Sequence, residues 1–66
     1  MSNQANLEVE RLIDALVERR KALGWSVRLL ARAAGVQPST VLRIESGERR
    51  PSLLMYTKLR LALEAA

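Results

Sequence analysis

The sequence predicts an all-α fold, a bundle of four short helices or at most five, and three observations carry that expectation. Leu, Ala, Arg and Glu dominate, whereas β-branched residues are few and Trp25 and Tyr56 are the only aromatics. Apolar residues recur at helical rather than alternating spacing. Glycine, serine and proline punctuate the chain at 24–26, 35–38 and 47–52, where helices should stop and start. Sixty-six residues make a single domain, 1–66. So short a chain buries only about 60% of the surface its unfolded form exposes, so the core is small.

The first helix is expected over 6–23, with Asn6 as its N-cap and Glu8 and Glu10 near the positive end of its dipole. At 100° per residue, Val9, Leu12, Ile13, Leu16, Val17 and Leu23 share one broad face. Arg20 falls in the middle of that face, and a cation there needs a carboxylate partner. Gly24 closes the helix and Ser26 caps the next, Val27–Ala34. Val27, Leu30, Ala31 and Ala34 point one way; Arg28 and Arg32, with Leu29 and Ala33 beside them, point the other.

Gly35 ends the second helix, and Pro38 suits the first position of a third, expected over 38–46. Its wheel puts Val41 and Ile44 inward, Glu45 at their edge, and Pro38, Ser39, Leu42, Arg43 and Ser46 outward. Gly47 stops it, Glu48, Arg49 and Arg50 form a polar loop, and Ser52 caps a fourth helix, Leu53–Glu64. That helix carries two stripes: Met55, Tyr56, Leu59, Ala62 and Leu63 on a core face, and Leu54 with Leu61 nearly opposite.

Composition narrows function mainly by exclusion. With no cysteine and no histidine, disulfides, thiolate zinc sites and imidazole general-base chemistry are ruled out. No nucleophile–base pair, metal-ligand cluster or Gly-rich phosphate loop is legible, so we expect no enzyme, no catalytic residues, no cofactor, no metal and no small-molecule ligand. The opening MSNQANLEVE is unlike a signal peptide, and no apolar run approaches the roughly 18 residues of a membrane span; a soluble protein with no membrane partner is expected.

Charge is segregated. Residues 1–18 hold one basic side chain, Arg11, against Glu8, Glu10, Asp14 and Glu18, whereas residues 19–60 hold the remaining ten against Glu45 and Glu48. Such asymmetry fits a side facing a polyanion, and equally a solvated basic face without a partner.

Two short helices joined at a glycine, with a small residue at the crossing and two aliphatics holding the second helix down, make a helix-turn-helix unit. Ala31, Gly35, Val41 and Ile44 fill those places within 27–46. Beyond the unit, the segments RRKALGWS, LLARAAGV, STVLRIESG and RRPSLLMYTKL resemble successive parts of the phage Cro and repressor type, or XRE family, of DNA-binding domains. The resemblance covers about 12–63 and implies a lambda-repressor-like bundle whose third helix enters the DNA major groove, usually as a homodimer on a pseudo-palindromic double-stranded operator.

The resemblance also implies roles for residues. Arg20 and Glu45 match a pair that ties the first helix to the third. Gln37, Pro38, Ser39, Leu42 and Arg43 match base-reading positions, with Arg43 the main reader because a guanidinium can donate twice to guanine. Leu42 would meet a thymine methyl or serve as a half-buried packing residue. Ser26, Arg28, Ser46, Arg49 and Arg50 would hold phosphates, Arg49 and Arg50 with a plain solvated loop as the alternative. Val27 stands where the family usually has a glutamine that anchors the backbone, so that contact should be lost. Arg60 replaces a small core residue, so its stem must snorkel outward or the helix must rotate.

The sequence in hand also lacks the fifth helix common in the family. This leaves Leu54, Met55, Lys58 and Leu61 as an expected dimer surface. Trp25 and Tyr56 occupy positions filled by core aliphatics, so burial rather than base stacking is expected. The function expected is that of a cytoplasmic, nucleoid-associated transcriptional regulator, most simply a repressor. The alternatives are a protein-interaction module on the same scaffold, and an antitoxin or restriction–modification controller subunit.

Overall fold

The computed structural model describes residues 3–66. Its four helices are α1 (Asn3–Ala22), α2 (Val27–Ala34), α3 (Pro38–Glu45) and α4 (Leu53–Glu64), with no strand among the described residues. α2 packs on both α3 and α4, and α1 lies across the pair.

α1 starts before Asn6, so Asn6 is a helical residue and not the cap, and Glu8 and Glu10 lie deeper than the first turn. Gln4, Ala5, Leu7 and Glu8 are good or adequate helix formers, and no core contact forces a stop at Asn6. The extra turn is laced by side chains instead: the Gln4 Nε2 donates to Glu8 Oε2 at 3.2 Å, and Arg11 pairs with the same carboxylate at 3.3 Å.

Along the inner face of α1, Ile13 and Leu16 are buried and Val9 and Val17 pack against them. Leu12, assigned to that face by the wheel, is 47% exposed. A long helix laid over two shorter ones presents a narrower buried stripe than an apolar arc suggests. Leu12 sits on its flank, at the lip of a shallow groove shared with Tyr56, Arg60 and Leu63.

α1 closes by two bonds around Gly24, from Gly24 N–H to the Lys21 carbonyl (2.9 Å) and from Trp25 N–H to the Arg20 carbonyl (3.0 Å). The same pair of bonds closes α2 at Gly35, whose φ of +72° lies in the left-handed region that glycine enters without steric cost. That turn redirects the chain after eight residues, so that α3 crosses α2. Ala31 is fully buried at the crossing, and its lone methyl lets two neighbouring helices approach α2.

Pro38 opens α3 and Val41 and Ile44 are buried beneath it. The helix ends at Glu45; Ser46, expected inside it, is the capping residue, and its hydroxyl donates to the Arg43 carbonyl at 3.0 Å. α4 buries Leu59 and Leu63 and leaves Met55, Tyr56 and Ala62 half-buried against them. Arg60 is half-buried, lines the shallow groove beside Leu12, and donates to Glu64 at 2.8 Å.

The core is Ile13, Leu16, Leu30, Ala31, Val41, Ile44, Leu59 and Leu63, with Trp25 and Tyr56 packed at its edge. Among the described residues no buried side-chain polar atom lacks a partner. Each large aliphatic in so small a core contributes roughly 1.5–3 kcal/mol, a sizeable share of a domain's net stability.

Candidate nucleic-acid interface

The placement of α3 starts from Arg20. Its Nε and Nη2 donate to the two oxygens of Glu45 at 2.7 and 2.9 Å, and its Nη1 donates to the Trp25 carbonyl at 2.7 Å. The side chains are only 12% and 15% exposed. Three directed bonds therefore tie the end of α1 to the end of α3 and to the turn between α1 and α2. Charge-assisted bidentate geometry fixes angle as well as distance, so this clamp sets how α3 is rotated about its axis.

With Val41 and Ile44 beneath and Glu45 held at the side, the remaining faces of α3 turn outward. Pro38, Ser39, Leu42 and Arg43 are all exposed, Leu42 at 59%. The half-buried packing alternative for Leu42 is therefore not the observed arrangement. Gln37 is the N-cap of α3 with extended backbone, yet its side chain makes no capping bond, which leaves both ends of its amide for an external partner.

Two serines bracket this surface, and their hydrogen bonds separate them. The Ser26 Oγ accepts from Leu29 N–H at 3.0 Å, so its own hydroxyl proton remains free to donate. The first-turn N–H groups of Val27 and Arg28 have no intrahelical acceptor and lie at the positive end of the α2 dipole. Ser46 has already spent its one proton on the Arg43 carbonyl. It can meet an anion only by breaking that bond, which makes it the weakest of the phosphate candidates. Val27 is half-buried against the core, so its side chain is committed to packing.

Arg28, on α2, and Arg49 and Arg50, in the loop that follows α3, are exposed. Arg50 Nη2 lies 3.6 Å from Glu10 Oε2 on α1, and Arg43 Nε lies 3.9 Å from Glu48 Oε2. Arg28 and Arg49 have no carboxylate within ion-pair distance among the described residues. Arg49 and Arg50 line an open cleft with Glu10, Asp14, Ser46 and Pro51, floored by Ile13 and Ile44. Sequence reasoning does not single out Glu10 or Glu48 as partners. Glu48 lies five positions from Arg43 across a glycine turn, and no periodic rule joins Glu10 to Arg50.

The dimer candidates divide. Leu54 and Leu61 are 66% and 53% exposed, and Lys58 is exposed, whereas Met55 is half-buried on its own core and has less surface to offer. Leu53, which the wheel does not pick out, is the most exposed large apolar side chain among the described residues, at 81%. Among the described residues no group of acidic, histidine or cysteine side chains is placed to hold a metal, and no helix is long and apolar enough to cross a membrane.

Comparison with known proteins places this arrangement. Residues 16–64 match the model of the Helix-turn-helix family, nearly three-quarters of the chain. A stretch of 41 residues is 46% identical to the HTH-type transcriptional regulator AnsR of Bacillus subtilis (strain 168), covering 62% of this chain and 35% of that protein. The match thus spans about a third of the relative's length. No solved structure gives a significant match. The matched residues hold the α2–α3 unit and the clamp that sets it, from Leu16 through Arg20 and Glu45 to Glu64, and the chain belongs to the XRE-type helix-turn-helix family.

Proposed function

We propose that the protein binds double-stranded DNA sequence-specifically and regulates transcription, most simply as a repressor that occupies an operator. The observation that carries this reading is the outward face of α3: Pro38, Ser39, Leu42 and Arg43 stand exposed on a helix whose rotation is set by Arg20, Glu45, Val41 and Ile44, with Arg28 exposed on α2 and Arg49 and Arg50 exposed in the loop that follows. In this reading α3 enters the major groove. Gln37, Pro38, Ser39, Leu42 and Arg43 meet base edges, Arg43 foremost. Ser26, Arg28, Arg49 and Arg50 hold phosphates, with Ser46 a lesser contributor. The resemblance to a transcriptional regulator supports the biological role.

A reading face with only Arg43 and Gln37 able to bond a base twice needs a second copy to reach useful affinity. Leu54 and Leu61, with Lys58 and the free part of Met55, supply the self-association surface, giving a homodimer on a two-fold-related operator. Two α3 helices would then sit roughly 34 Å apart in successive major grooves. A second reading, a protein-interaction module that does not read DNA, is favoured by the same exposed leucines at 53–61. Titration of a labelled random-sequence duplex at rising salt separates the two. DNA binding predicts measurable affinity at low salt that falls with log salt at a slope of about −0.9 per phosphate contacted. A protein that does not bind, or binds with no salt dependence, is an interaction module.

A further inference from the structure

The interface arginines are not equivalent. Arg43 and Arg50 each face a carboxylate of this same chain, Glu48 at 3.9 Å and Glu10 at 3.6 Å, whereas Arg28 and Arg49 face none within 4.0 Å among the described residues. Both pairs are open to water: the side chains are 58% and 69% exposed for Arg43 and Glu48, and 50% and 58% for Arg50 and Glu10. Glu10 reaches Arg50 from another element, and Asp14, one turn along α1, lines the same cleft. The acidic first helix, which contributes nothing to the reading face, therefore places negative charge against the basic loop that follows α3.

We propose that Glu10 and Glu48 are resident counter-ions of the interface, displaced from Arg50 and Arg43 when DNA docks, and that they weaken binding to all sequences and flatten its salt dependence. The inference rests on the DNA-binding reading of α3. Its physical basis is an ion balance. A free arginine that meets a phosphate releases the cation condensed there, which is the source of the salt slope. An arginine already paired with glutamate releases that cation too, but leaves behind a carboxylate whose charge, set beside the phosphates, retains part of the cation atmosphere, and the net release is reduced. Because exposed pairs of this kind are weak, they yield to DNA rather than block it. They lower the general electrostatic attraction for operator and random duplex alike.

The test uses Glu10→Gln and Glu48→Gln, which keep shape and remove charge at exposed positions. Glu18→Gln is the control, an exposed carboxylate of α1 with no arginine within ion-pair distance among the described residues. Each protein is titrated with a labelled random-sequence duplex over a range of salt, with circular dichroism to show an unchanged helical content. Each of the two interface variants should bind at low salt roughly 2- to 5-fold more tightly than wild type, the range expected of an exposed ion pair. Each should also steepen the salt slope by up to about 0.9, one additional released cation. The control should leave the slope unchanged. If both interface variants give slopes equal to that of Glu18→Gln, the counter-ion role is overturned while DNA binding stands. If wild type shows no salt-dependent binding at all, the DNA reading itself falls, and the inference with it.

Discussion

Arg20 is the residue whose chemistry determines most. A guanidinium held by two carboxylate bonds and one carbonyl bond is oriented in three directions at once, and Glu45 on α3 is oriented with it. Removing one partner leaves the other partly buried and uncompensated, so Arg20→Ala should destabilise the fold by about 3 kcal/mol in urea titration. The double replacement Arg20→Met with Glu45→Leu should recover most of that loss while DNA affinity stays low, because the rotation of α3 is no longer set. At the reading face, Arg43→Ala should cost about 1–3 kcal/mol of preference for the operator over random duplex, beyond the smaller loss that both suffer with its charge. An equal loss for both would make Arg43 a phosphate contact.

Much of this residue chemistry is legible in the sequence. A cation on an apolar arc demands a partner, and Glu45 is the carboxylate left at the core's edge. What is not legible is long-range and weakly specified: Glu10 beside Arg50, and the commitment of the Ser46 hydroxyl to the Arg43 carbonyl.

Helix ends follow from sequence most accurately where the chemistry is local. Ser26 and Ser52 each accept from an N–H three residues on, and both helices begin where those caps place them. The start of α1 departs from expectation because Asn6 tolerates the helix interior and solvent imposes no other boundary. Leu12 departs for a different reason: a wheel reports direction but not how wide a neighbouring helix is.

On α4 the wheel separates a buried stripe, Leu59 and Leu63, from an exposed one, Leu54 and Leu61, and both are present. In the proposed homodimer the exposed stripe is what meets the second copy. Leu61→Glu should shift sedimentation from dimer to monomer and weaken operator binding by more than tenfold, since half the contacts are lost, while the isolated fold keeps its stability. A dimer that persists would move the contact to another face.

For the molecule as a whole, polarity of charge and economy of core go together. Among the described residues, eight buried side chains hold four helices together. On α1, Glu10 and Asp14 line the cleft beside Arg49 and Arg50, and Glu10 meets Arg50. A single copy presents a sparse reader; two copies related by a two-fold axis present the same reader twice with a fixed separation. Selection of bound sites from a random duplex library decides whether this surface reads DNA as a symmetric pair. Enriched sites should consist of two inverted half-sites centred about one helical turn apart, roughly 10 base pairs, each with a guanine where Arg43 reaches. A pool that remains random through successive rounds, or that converges on a single unrepeated half-site, would contradict a symmetric reader.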